Sequence, residues 1–466
     1  MMVARREWEQ RGVMRRSNKH AWRPLPALAA VMVAAAACAF GAVPSGAAPV
    51  EAGTNTAGGL TGTPRIVHVQ NLNDSGPGSL RAALRMRGPR VIVFDVAGAI
   101  ELESDLRIDE PDVTVAGQTA PGPGITLQGA SLKIRANNVA IQHIAVRLWS
   151  EATADKGGDR DAITVFACDD CDRPVSNVLI ENVSASWGID ENIGFWGAKL
   201  ERVTLRNSLI AEGLRNAGHS KGVHSMGSLI GGNTRAIEVT GNFFASNLRR
   251  NPVVGGGASA FVANNFIYNP GRNSVHVYEG AGTRASLIGN VTLRGPDTAE
   301  DLTAFQIQGD LASDSPGAVI YAFDNHCCDG RIHSGQVEPD QPLAAAPATV
   351  SATWQTLPAA DVWAHVSRYA GMRPAERGAT DARIVSGAER GDGRVIDSPW
   401  EVGGDPVTAG TQPPPPVPDD PFAPAGGSGK SRLAAWLCLR HFEVGGPPTP
   451  QCAESPETLR GLLGRP

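Results

Sequence analysis

The sequence predicts an all-β protein, a parallel β-helix wound from short stacked coils and closed at its N-terminal end by a short capping helix. Three observations predict it. The strand-like unit Val178–Ala185 recurs as Val203–Ile210, Glu238–Ala245, Phe261–Tyr268 and Ser286–Leu293, with an earlier relative at Val139–Val146. Aligned on Asn182, Asn207, Asn242, Asn265 and Asn290, with His143 in the earliest copy, the units follow one another at solenoid spacing. A short β unit repeating every ~20–40 residues cannot bury its apolar face alone and must stack on the next. Within each unit Val, Ile, Leu and Phe alternate with polar residues, which is strand periodicity, and no unit is long enough for a helix. Third, 54 glycines and 34 prolines with only 5% aromatic residues suit a turn-rich β chain. The recurring Asn would bond to its neighbours at a bend repeated in every coil, as stacked amides do.

The elements follow in order. Basic Arg15, Arg16, Lys19 and Arg23 precede the apolar run 25–43 and small residues at 45–48, the pattern of a cleaved export signal over 1–48. Export implies a secreted protein with no stable membrane insertion after cleavage, and Cys38 within the run offers a lipid-anchored alternative. Residues 49–64 are low in complexity and are expected to be disordered. The β-helix is expected over 65–404. It opens on a strand at Ile66–Val69, and Ser79 then caps a short amphipathic helix ending at Leu84, placed to cover the open apolar end. Further strands are expected at Val91–Val96, Ile100–Leu102, Val113–Ala116, Ile125–Leu127 and Leu132–Ile134, and late ones at Ala304–Ile307 and Ala318–Phe323. A helix is expected over Leu357–Ala370, packed back on the coils. Residues 405–430, with prolines at 413–416, 418, 421 and 424, read as a stiff linker, and 431–466 as a short tail with a helix at Leu433–His441.

Cleavage would leave six cysteines. Cys438 and Cys452 bracket a Pro/Gly loop and are expected to form a disulfide in an oxidising compartment; Cys168 and Cys171 could close a local turn, and adjacent Cys327 and Cys328 have no evident partners. The net charge of −5 gives no reason to expect nucleic acid.

Chemistry-bearing residues cluster directly after particular repeats. Asp159 and Asp161 share one side of an extended segment. Asp190 and Glu191 follow the 178–185 unit, the loop 212–225 carries Lys221 and His224, and Arg249-Arg250-Asn251-Pro252 follows a later unit. Neighbouring coils place equivalent residues about 4.8 Å apart. Acids on successive coils can therefore converge into an oxygen site suited to Ca²⁺.

These clusters, with Ala116–Gly122 and the segment 395–404, resemble the pectate lyase family, polysaccharide lyase family 1, whose fold is a single-stranded right-handed parallel β-helix. The resemblance runs from about Arg65 to Gly403 and leaves out the signal and the tail. It implies a calcium site of Asp159 and Asp161 with Glu191, Asp190 being the alternative to Glu191. A further acid of the family pattern falls near Phe195, where this chain has none. It also implies Arg250 as base, Lys221 as the substrate-binding lysine, and Arg249 and His224 as secondary substrate contacts. The implied reaction is β-elimination on an acidic plant-type polysaccharide, polygalacturonate, by a monomeric enzyme. With a guanidinium as base, an alkaline optimum is expected. Two other readings stand beside it. A hydrolase on the same fold would need paired carboxylates such as Asp169 and Asp170, and a non-catalytic surface β-helix would bind polysaccharide without shortening it.

Overall fold

The computed structural model describes residues 48–149, 158–168, 173–278, 282–308, 318–328, 343–407 and 409–464. Residues 1–47 of the expected signal, with Cys38, and Asp169, Asp170 and Cys171 lie outside them. Three parallel sheets of ten, nine and eight strands wind the chain into a right-handed β-helix. Each coil visits the sheets in turn. Val175–Glu181, Ser184–Ser186 and Glu191–Trp196 make one coil, and Leu200–Arg206, Leu209–Ala211 and Met226–Gly231 make the next.

Alternation decides which side chains enter. Ile141, Ile180, Leu205, Val239, Val262 and Leu287 stack in one register column, and all are buried in the continuous core. A single coil would expose this column, so stacking is what removes it from water.

The bend after each strand of the ten-stranded sheet holds a correction. Strand pairing sets Arg206 against Thr240, so Asn207 matches Gly241, and Ser208 matches Asn242. Asn182 and Asn207 take left-handed backbone, as do Gly241, Asn264 and Gly289 at the same place in later coils. Left-handed backbone favours Gly and Asn alike, which made the two sets look equivalent in sequence. The amide ladder uses the residue after it. Ser208 N donates to Asn242 Oδ1 (2.9 Å), and Asn242, Asn265 and Asn290 each donate through Nδ2 to the next Oδ1 at 2.9 Å, ending on Asn325. Asn265 Nδ2 also reaches Val239 O at 2.9 Å. Asn265→Ala is expected to lower stability by about 2 kcal/mol, because it strands buried partners above and below. The check is a lower urea midpoint with an unchanged slope.

The capping helix α1, Leu80–Leu84, forms as expected, with Ser79 Oγ accepting from Ala82 N at 3.2 Å. It buries Leu80, Ala83 and Leu84. Arg81 ties it to Asp74 and to the carbonyls of Ser104 and Asp105.

Residues 49–64, expected to be disordered, are ordered. Val50–Ala52 pairs in parallel with Thr349–Ser351, and the chain then runs as a strap across the outer face of the ten-stranded sheet. Gly53 N donates to Ala236 O (3.0 Å), Thr54 N to Thr204 Oγ1 (2.8 Å) and Gly59 N to Thr114 Oγ1 (3.0 Å). The low complexity has a steric cause. A Cβ on Gly59 would fall 1.9 Å from Arg90 O, so only glycine lets the strap lie flat on the sheet.

Helix α2 spans Val362–Tyr369, starting later than expected because Pro358 and a 3-10 turn at Ala359–Asp361 precede it. Helix α3, Ala379–Arg390, was not expected. It is closed by Gly391 in left-handed backbone, and Ile384, Val385 and Ala388 pack with α2 on Phe243 and Phe266. The tail is docked rather than trailing. In α4, Arg432–Glu443, Leu433, Trp436 and Leu437 pack on Val91, Val93 and Ala116, and His441 Nδ1 meets His143 Nε2 at 2.8 Å. The Cys438–Cys452 disulfide joins α4 to the turn before α5, Pro456–Leu462. The Cys327 and Cys328 sulfurs face one another. Among the described residues no helix is long and apolar enough to cross a membrane.

Candidate active site

The outer face of the eight-stranded sheet gathers the acids. Asp161 stands just before the strand Ile163–Phe166, which pairs with Glu191–Trp196 so that Thr164 lies against Gly194. Asp161 Oδ1 accepts from Glu191 N (3.0 Å), and its Oδ2 accepts from Thr164 Oγ1 (3.0 Å). A Cβ at Gly194 would lie 2.5 Å from Asp161 Oδ2, so the glycine opens the space that this carboxylate occupies. Asp161, Asp190 and Glu191 present oxygens within 4.8 Å of one another. Burial first, and Asp190 second, push the Asp161 carboxyl up to about 7. Crowded acids of this kind hold one another's protons until a cation relieves them.

Arg250 comes from two coils further on. Its backbone is left-handed (φ 60°), its carbonyl accepts from Ser228 N at 2.7 Å, and its guanidinium meets the Glu191 carboxylate. Arg249 and Arg250 line a cavity of about 540 Å³ with Arg272, His276 and Tyr278. The structure thus brings Asp161, Asp190, Glu191 and Arg250 together, with Arg250 also facing the cavity.

Asp159 stands outside the acid group. Its carboxylate is exposed and engages the loop 219–221, accepting from Ser220 N (3.2 Å) and Ser220 Oγ (2.9 Å). The Asp-x-Asp spacing would put both acids on one side of an extended strand, but the backbone bends at Asp159 and becomes a strand only at Ile163, so only Asp161 faces the other acids. Lys221 is exposed on the same loop, and its backbone N donates to His219 Nδ1 at 3.0 Å.

His224, expected to touch substrate, is buried (5% exposed), with Nε2 2.8 Å from Asp190 Oδ1. Burial first, and the neighbouring His219, lower its proton affinity, against the pull of Asp190. His219, which sequence reasoning passed over, stacks on it with ring centroids 3.4 Å apart and has Nε2 3.4 Å from Asp190. Since His219 Nδ1 accepts a backbone N–H, its Nε2 carries the proton and points it at the acids. His224 therefore fastens the Lys221 loop to Asp190, while His219 Nε2 stands between Asp159 Oδ1 (3.1 Å) and Asp190 Oδ1 (3.4 Å). The signal that could have found this is their five-residue separation across a glycine-containing turn.

No family model matches the chain. It is 31% identical over 366 residues to a probable pectate lyase C of Aspergillus flavus, covering 76% of this chain and 79% of that protein. It is 36% identical over 258 residues to a probable pectate lyase C of Aspergillus terreus, covering 54% of each. Among solved structures, jun a 1, the major allergen of cedar pollen, aligns over 69% of this chain and 92% of its own at 17% identity, with a TM-score of 0.49.

Proposed function

This chain belongs to the pectate lyase family, and we propose that it is a secreted, monomeric enzyme that cleaves α-1,4-linked polygalacturonate by Ca²⁺-assisted β-elimination. The observation that carries the reading is the meeting of Asp161, Asp190 and Glu191 with Arg250, which also faces the cavity lined by Arg249 and Arg272. The donor set fits calcium. It is all oxygen, and burial together with the adjacent Asp190 raises the Asp161 carboxyl, a crowding of acids that a divalent cation would relieve.

Asp161, Asp190 and Glu191 would hold the ion. When bound, it supplies positive charge against a substrate carboxylate and so acidifies the adjacent C5–H. The chain's own groups do the rest. Lys221, on its exposed loop, meets a uronate carboxylate and draws charge toward it as the carbanion develops. Arg249 and Arg250 present planar donors to the same polyanion. Arg250, acting as the neutral guanidine, takes the C5 proton and becomes guanidinium; the C5–H electron pair becomes the C4–C5 double bond, and the C4–O bond breaks with its electrons on the leaving sugar oxygen. That oxygen then takes up a proton, and no water is consumed. His219 and His224 hold Asp190 and the Lys221 loop in register.

The test is ultraviolet absorbance of the conjugated product on polygalacturonate, on fully methylated pectin, and with EGTA. Absorbance should rise on the first substrate alone and stop with chelator; chain shortening without absorbance would indicate hydrolysis instead. Asp161→Asn is expected to raise the calcium concentration for half-maximal turnover by about tenfold, since it removes one charged oxygen ligand. Calcium titration of the rate measures it.

A further inference from the structure

Two aromatic side chains beyond the acids share the outer face of the same sheet. Trp196 ends the strand Glu191–Trp196, two residues past Gly194 and hence about 6.6 Å further along. It is 41% exposed. Its register partner on the next coil is Gly231. Continuing the pairing of Leu229 with Val253 and Ile230 with Val254 sets Gly231 against Gly255, and Gly255 pairs with Tyr278. The column thus reads Trp196, Gly231, Gly255, Tyr278 over three coil steps, about 14 Å.

Glycine inside a strand weakens it and marks a place where something approaches the backbone closely. At these positions the rings themselves make the approach. A Cβ on Gly231 would lie 2.7 Å from Trp196 Cζ3, and one on Gly232 would lie 2.9 Å from Trp196 Cε2, so the indole leans over the following coil. A Cβ on Gly255 would lie 3.2 Å from Tyr278 Cζ, so the phenol leans back from the other side. A lone exposed tryptophan needs no explanation. Two aromatic rings laid toward each other over bare backbone, on the face that carries the acids, call for one. Tyr278 also lines the cavity that contains Arg250, so the Tyr278 end of this column and Arg250 face the same space.

We propose that Trp196 and Tyr278 form a sugar-stacking platform, on which pyranose rings of the polyuronate lie flat while their carboxylates face the neighbouring guanidinium groups. A pyranose presents a C–H face, and an aromatic ring offers the matching negative face. The platform's length is comparable to a trisaccharide, so it holds polymer beside the bond being cleaved. The choice of a polyuronate as occupant rests on the lyase reading; the platform's geometry does not.

The test is affinity electrophoresis of the full chain through gels containing polygalacturonate, which reads binding without turnover. Trp196→Ala and Tyr278→Ala should each weaken retardation about tenfold in apparent Kd, and Trp196→Phe should keep most of it. In solution, KM on polygalacturonate should rise by a similar factor in both alanine variants, with kcat within about twofold. Retardation equal to the parent in both alanine variants overturns the platform. So does equal weakening by Trp196→Phe and Trp196→Ala, since that would show no need for an aromatic face. If the protein makes no unsaturated product, the lyase reading fails by that separate assay, while the gel still decides the platform.

Discussion

Arg250→Lys is expected to reduce kcat on polygalacturonate by about 10³-fold, within the range that a positioned general base supplies. The substitution keeps the charge and discards the shape. Arginine is a planar fork with five donors, whereas lysine is a compact point charge on a flexible stem. The site depends on that shape. Ser228 N fixes the Arg250 carbonyl at 2.7 Å, and the left-handed backbone aims the side chain at Glu191 from across two coils. An ammonium could still neutralise Glu191 but would sit elsewhere relative to a C5 proton. Thermal midpoint and calcium requirement should therefore change little while turnover collapses. Turnover near that of the parent would remove Arg250 from the role of base.

Glu181→Gln is expected to lower stability by about 3–5 kcal/mol, the usual result of removing one partner from a buried ion pair. Glu181 and Arg206 are each 1% exposed and meet at 2.6 Å. Arg206 also donates to Gln451 in the tail at 2.8 Å and to Asn55 in the strap at 3.3 Å, so its stranded charge would loosen both. Burial by itself would raise the Glu181 carboxyl. Arg206, with His441 and Gln142, outweighs burial and pulls it from 4.5 down to about 2. The sign follows from a depressed folded value. The carboxylate's contribution is complete above about 4.5 and is lost as pH falls toward 2. Denaturant titration between pH 7 and pH 3 should show the parent weakening along this limb and the glutamine variant lacking that part of it. A loss under about 1 kcal/mol at pH 7 would mean that the pair behaves as an exposed one.

Much of this architecture was legible because a solenoid repeats its instructions. Alternating Val, Ile and Leu gave the strands, and recurring Asn gave the bends. The one-residue slip at Asn182 and Asn207 arose because asparagine serves two adjacent positions for different reasons, left-handed backbone in one and amide pairing in the other. Low complexity misled at 49–64, since glycine there signals contact closer than a Cβ permits rather than freedom. Helix α3 and the docked tail rest on contacts far apart in sequence, such as His143 with His441, which no local pattern announces. At the site, the acids could be read from the repeats they follow. What separates Asp161 from Asp159 is burial, and what joins His219 to Asp190 is a loop fold; neither is written in spacing.

The strap has a consequence for how the molecule comes apart. A bare solenoid behaves as a row of nearest-neighbour units and can fray inward from either end, one coil at a time. Here residues 53–59 tie Ala236, Thr204 and Thr114, which stand on strands of one sheet with two further strands between the last pair. Opening any of these coils strips bonds from the others. The coils from Thr114 to Ala236 are thereby expected to open together as one cooperative block.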